Sequence, residues 1–141
     1  MTVAQILSEK GRDVVTVDAH ASTEDVMAVL AGKKIGAAVV MNDQALAGIV
    51  SERDIIRILA NNGRGALESE IASCMTKKVV SCTSHDTIDH VMQEMTRGRF
   101  RHMPVVDDGE LVGLVSIGDV VKRKIEQAER DAEDLKRYIA S

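Results

Sequence analysis

A chain of 141 residues can form a globular unit that buries roughly 68–70% of the surface its unfolded form exposes. Hydrophobic residues at 45% and charged residues at 28% argue against a disordered or membrane class, and no apolar run reaches the length of a bilayer span. A net charge of −4, with Phe100 and Tyr138 as the only aromatic rings, offers neither a basic surface for nucleic acid nor a stacking platform for single strands.

The first residues, MTVAQILSEKG, have no basic stretch leading into a long apolar run. No secretory signal is expected there, and the cytoplasm is the expected compartment. Residues 14–17, VVTV, form a β-branched run that predicts a strand. A turn through His20 leads to a helix capped near Ser22, with Val26, Met27 and Leu30 at helical spacing. Two strands follow, AAVVM (37–41) and ALAGIV (45–50), around the turn Asn42-Asp43-Gln44. AAVVM is apolar throughout, so both its faces should be covered. A second helix opens at Ser51 of the tetrapeptide SERD.

Residues 61–76 then join this block to another, with a short helix expected around 69–75 and VAQIL (3–7) as that helix's equivalent at the N-terminus. The second block repeats the first. Residues 14–57 align without gaps on residues 79–122, and twelve of the 44 pairs are identical, among them His20/His85, Gly48/Gly113, Ser51/Ser116 and Asp54/Asp119. VVSC (79–82), a helix capped near Thr87, MPVV (103–106), the turn Asp107-Asp108-Gly109, LVGLV (111–115) and a helix from Ser116 complete the second copy. Past it, Val121, Ile125, Ala128, Ala132, Leu135 and Ile139 recur at steps of four and three on one long amphipathic helix, a seam that fits this chain or a second subunit. Cys74 and Cys82 show no CxxC or metal spacing and read as reduced, buried or half-buried thiols, Met27, Met92, Met95 and Met103 read as core filler, and no metal site is expected at His20, His85 or His90.

Two stretches carry chemistry. Ser51-x-x-Asp54 and Ser116-x-x-Asp119 are close to a capping box, which satisfies orphan backbone N–H groups. Both follow a Gly-apolar-Val strand, and the first turn of such a helix can also meet a ligand, its carboxylate accepting from ribose hydroxyls. The run RGRFRHMP (97–104) holds Arg97, Arg99, Arg101 and His102. It reads either as a solvated loop or as a phosphate clamp, with Arg53 able to add a contact from the first copy.

With L-x-G-[IL]-V-S-x-x-D occurring twice in register, the chain resembles a tandem of CBS domains, also known as a Bateman module. The implied fold class is α/β: two β-α-β-β-α CBS repeats packed with pseudo-twofold symmetry, at residues 3–66 and 67–122, plus a C-terminal amphipathic helix at 123–141. The resemblance implies a regulatory module that binds adenosine-containing ligands in clefts between the repeats. AMP comes first among these, with ADP, ATP, NAD and S-adenosylmethionine as alternatives. It makes Asp54 and Asp119 ribose acceptors, with Ser51 and Ser116 on ribose or phosphate. Thr16 and Val17, and Ser81 and Cys82, help form base pockets. Ile35, Gly36 and Ala37, and Arg101, His102, Met103 and Pro104, lie where backbone groups read the adenine edge.

Nothing fused to the chain would receive a signal, so a separate protein partner or a homodimer is expected to read it. An assembly module with vestigial clefts is the competing reading. An enzyme is not expected, since no phosphate loop, H-E-x-x-H motif or nucleophile–base pair is present.

Overall fold

A computed structural model describes all 141 residues, which divide into two compact units: Asp13–Val80, and Met1–Arg12 together with Ser81–Ser141. In the first unit, β1 (Thr16–Asp18), β2 (Ala37–Asn42) and β3 (Ala45–Ser51) form one sheet in that order, with β1 parallel and β3 antiparallel to β2. Central β2 is buried from Ala37 to Val40, as its uninterrupted apolar sequence requires. Two helices complete the repeat, α2 (Thr23–Lys33) and α3 (Glu52–Asn62). The Ser22 hydroxyl caps α2 by accepting from the Asp25 N–H, and Lys34 ends it in the left-handed conformation at φ 55°.

The second unit repeats this plan. Its helix α4 (Ile88–Gly98) is capped by Thr87 and closed by Arg99 at φ 57°, the position equivalent to Lys34. The hairpin of β4 (His102–Asp107) and β5 (Glu110–Ser116) turns at Asp108-Gly109, both at positive φ, as a two-residue hairpin turn needs. A register shift between Val105 and Val106 matches one between Val40 and Met41, so even the irregularity of the hairpin is duplicated.

Three sequence expectations change. VVSC makes no full strand, because it straddles the boundary of the units. Only Cys82 pairs, by a single parallel bridge to Val105, before Asp86 and Asp107 carboxylates turn the chain by accepting from the Thr83 and Ser84 N–H groups. The helix around 69–75 is only a 3₁₀ turn, Ile71–Ser73, preceded by another at Gly63–Glu68. The C-terminal helix is not separate at 123: α5 runs unbroken over Ile117–Ala140, about 36 Å, because nothing after Gly118 in its first turn interrupts a helix.

The leading segments also cross over. Helix α1 (Val3–Lys10) precedes the first copy yet belongs to the second unit, where the Val3 and Ala4 N–H groups donate to Asp86 and Ser84 carbonyls. In the first unit, Ile71 and Ala72 make the same two bonds to Ala21 and Ala19, which are the repeat equivalents of Asp86 and Ser84. Ile71 is fully buried among Val26, Val40 and Val50, burial worth roughly 2–3 kcal/mol. The two segments are therefore structural equivalents, each seated on the copy other than the one it precedes.

Candidate functional site

Within each unit the predicted residues gather at one end of the sheet. Ala37 opens β2 and pairs with Ser51 at the close of β3, while Thr16 starts β1 opposite Val39. His102 and Ser116 hold the same places on β4 and β5. Backbone bonds fix both helix starts against this end: Glu52 N–H donates to the Gly36 carbonyl, and Ile117 N–H to the Arg101 carbonyl, at 2.9 and 2.8 Å.

Both S-x-x-D motifs are capping boxes, so that reading of the sequence holds in full. In the first unit the Ser51 N–H donates to Asp54 Oδ2 at 2.9 Å, the Ser51 hydroxyl lies 3.1 Å from the same oxygen, and the Asp54 N–H returns to Ser51 Oγ at 3.3 Å. Asp54 is buried, and its other oxygen has one long contact, 3.4 Å to the guanidinium of the exposed Arg57. In the second unit the Ser116 N–H likewise donates to Asp119 Oδ2 at 2.9 Å. Here, however, the Lys10 ammonium also binds Oδ2, at 2.7 Å. Burial pushes the Asp119 carboxyl up, but hydrogen bonds from Lys10 and Ser116 and the lysine charge outweigh it and hold the group below the ordinary carboxylate value. Sequence reasoning missed Lys10, which is 109 residues from its partner and outside the repeat alignment.

The remaining predicted residues divide by exposure. Thr16 and Ser81 are exposed and Val17, Ile35 and Gly36 half-buried, while Cys82, Met103, Pro104 and Ala37 are buried. Cys82 and Met103 place their side chains in the second unit's core, so they face the sheet end only through backbone. Burial first, then the nearby Asp86 and Asp107 charges, push the Cys82 thiol up to about 12, which makes it inert as a nucleophile. Ile35 and Gly36 also line an apolar groove of about 400 Å³ with Met27, Leu30, Ile55 and Ile56, and neither Ser51 nor Asp54 is on its wall.

Of the basic residues, Arg97 is tied to Glu94 on its own helix and leaves the proposed clamp. Arg53, Arg99 and Arg101 are exposed, and no carboxylate pairs with any of them. Gly118 stands at the second-copy position of Arg53, so a cation at that point belongs to one copy only. His20 pairs with Glu70 at 3.3 Å rather than with any metal-ligand set.

The family model described as "CBS domain" matches twice, at residues 3–61 and 69–126. The CBS domain-containing protein CBSX3, mitochondrial, of Arabidopsis thaliana is 33% identical over 98% of this chain and 71% of its own length. Three further curated relatives are longer, and the chain spans 22–41% of their length. The crystal structure of the CBS-domain containing protein ATU1752 from Agrobacterium tumefaciens is 44% identical, with a TM-score of 0.86 over 88% of this chain and 99% of that one. The CBS domain protein PAE2072 from Pyrobaculum aerophilum, complexed with AMP, is 28% identical, with a TM-score of 0.75 over 84% of this chain and 89% of that one.

Proposed function

This chain belongs to the CBS-domain family, and from that premise we propose that it is a regulatory module without catalysis of its own, which binds an adenine nucleotide at the S-x-x-D end of its sheets and passes the binding state to a partner. AMP is the first candidate, with ATP and NAD as alternatives. The observation that carries the reading is the pair of half-buried to buried carboxylates, Asp54 and Asp119, each held by its own serine at a helix start beside the opening of a strand. The AMP complex of the relative PAE2072 supports the ligand class. Two free cysteines suit a reducing compartment, and the cytoplasm is the one proposed. No helix is long and apolar enough to cross a membrane.

A thermal melt tests the reading. AMP at 100 times its dissociation constant should stabilise the protein by about 2.7 kcal/mol. A melt unmoved by millimolar AMP, ATP and NAD would favour the assembly reading instead.

The Arg99–Arg101 segment would supply the phosphate contacts in this scheme, since both guanidinium groups are exposed and unpaired. Arg101→Ala should then weaken AMP about tenfold and leave adenosine unchanged, as measured by calorimetry. Equal losses for both ligands would rule the clamp out.

The surface that signals is proposed to be the seam of α5, which joins two copies as a homodimer. Ile125, Leu135 and Ile139 are 54%, 58% and 73% exposed, and with Ala128 and Ala132 between them they keep a spacing of threes and fours that a like helix can match. Leu135→Lys with Ile139→Lys should convert a dimer to a monomer in light scattering. A wild-type chain that is monomeric at every concentration tested would remove the dimer from the scheme.

A further inference from the structure

The two copies differ most in what covers the strand before the S-x-x-D motif. In the first unit the 3₁₀ turn ends after Ser73 and the chain pairs with β3, so that the Thr76 N–H donates to the Ile49 carbonyl at 2.8 Å. The equivalent carbonyl in the second unit is Leu114. There α1 continues as a helix to Lys10 before turning away at Gly11, φ 95°, and no backbone amide reaches that carbonyl. The Lys10 ammonium fills the place, 2.9 Å from the Leu114 carbonyl, and from there it reaches Asp119 Oδ2. A neutral backbone donor in one copy is thus replaced by a side-chain cation in the other.

The consequence falls on the carboxylates. In the first copy the second contact on Asp54 Oδ2 is a serine hydroxyl, which can rotate away when a ribose hydroxyl arrives. In the second copy the Ser116 groups are joined on the carboxylate by an ammonium fixed at two points. Around it stand Lys122, Arg123 and Glu9, which line a cavity of about 90 Å³ with Lys10, Asp119 and Ile6. Arg123 is already held by Glu9 at 2.9 Å, so no other carboxylate there is unpaired to draw Lys10 away.

We propose that Lys10 is a specificity-determining residue of the second copy: as a resident counter-ion on Asp119 it competes with ribose hydroxyls and makes that copy the weaker nucleoside site. This inference rests on the ribose-acceptor reading of Asp54 and Asp119. The ion pair is 38% and 23% exposed at its two side chains, so its competitive effect is modest and sensitive to salt.

The test uses the full chain carrying Asp54→Ala, so that only the second copy titrates, with adenosine as the probe in calorimetry. Adding Lys10→Met should tighten adenosine on the order of fivefold, whereas Lys10→Arg should not. With Lys10 in place, raising KCl from about 50 mM to about 500 mM should tighten adenosine, and with Lys10→Met it should not, a readout that a merely structural lysine would leave flat. Salt dependence needs no change at Lys10, so it decides the matter even if Lys10→Met fails to fold. Unchanged or weaker adenosine binding in Lys10→Met, or no salt effect with Lys10 present, overturns the proposal. If the wild type binds adenosine but neither Asp54→Ala nor its Lys10→Met derivative does, the Lys10 proposal falls and the functional reading stands. If no form binds any adenine ligand, both fall.

Discussion

Asp54→Ala is expected to weaken adenosine-ligand binding at the first copy by about two orders of magnitude, while Asp119→Ala leaves that copy unaffected. Hydrogen bonds to a charged acceptor contribute about 1.5–3 kcal/mol, and Asp54 is buried with one oxygen bearing only a 3.4 Å contact, so little water competes for it. The same change removes a capping box, which should cost about 1 kcal/mol of stability in the absence of ligand. The two effects separate cleanly. Asp54→Asn keeps an oxygen for the Ser51 N–H but not the charge, so it should recover most of the melting temperature and only part of the affinity. Affinity that survives Asp54→Ala within about threefold, well short of the roughly tenfold that even a weak charged hydrogen bond is worth, would remove the ribose role from this residue.

Gly48→Ala should destabilise the protein by about 3 kcal/mol, a fall of roughly 10 °C in melting temperature. A Cβ at Gly48 would sit 2.6 Å from the Thr76 carbonyl oxygen and 2.7 Å from the Met75 sulfur. The methionine can move, but Thr76 is paired to Ile49 in both directions and cannot withdraw without breaking that bridge. Gly113→Ala provides the contrast. Its Cβ would meet only Leu7 side-chain carbons, the nearest at 2.6 Å, which can rotate within the core. About 1 kcal/mol is expected there. Denaturant melts that rank the two glycines equally would show that the Thr76 bridge yields more easily than its hydrogen bonds imply.

Local signals in the sequence foretold most of the fold. The Ser22 and Thr87 caps, the apolar run of β2, the Asp-Gly turn and the S-x-x-D helix starts all depend on neighbours within a few residues, and each lies where its spacing puts it. The strand expected at VVSC failed because pairing needs a partner along its whole length, and only Cys82 has one. Thr16, Ala37 and Ser51 were named as one site only through the family resemblance, and they gather at one sheet end. Lys10 could not be found from the repeat, since the alignment begins after it and nothing local ties a lysine at the end of α1 to an aspartate 109 residues on. The burial of Cys82 and Met103 was legible, since a reduced thiol and a methionine are more often core filler than ligands.

The crossing of α1 to the far copy has a consequence for synthesis. Residues 13–80 contain every strand and helix of their unit, so that unit can close while the rest of the chain is still being made. Helix α1 leaves the ribosome before both units yet finds its docking surface last, because β5 and α5 arrive some hundred residues later. During that interval the apolar face of Val3, Ile6 and Leu7, all nearly fully buried in the finished protein, stays open to water. Helix α1 therefore serves as the closing piece of its unit, and the ion pair between Lys10 and Asp119 is among the last contacts to form.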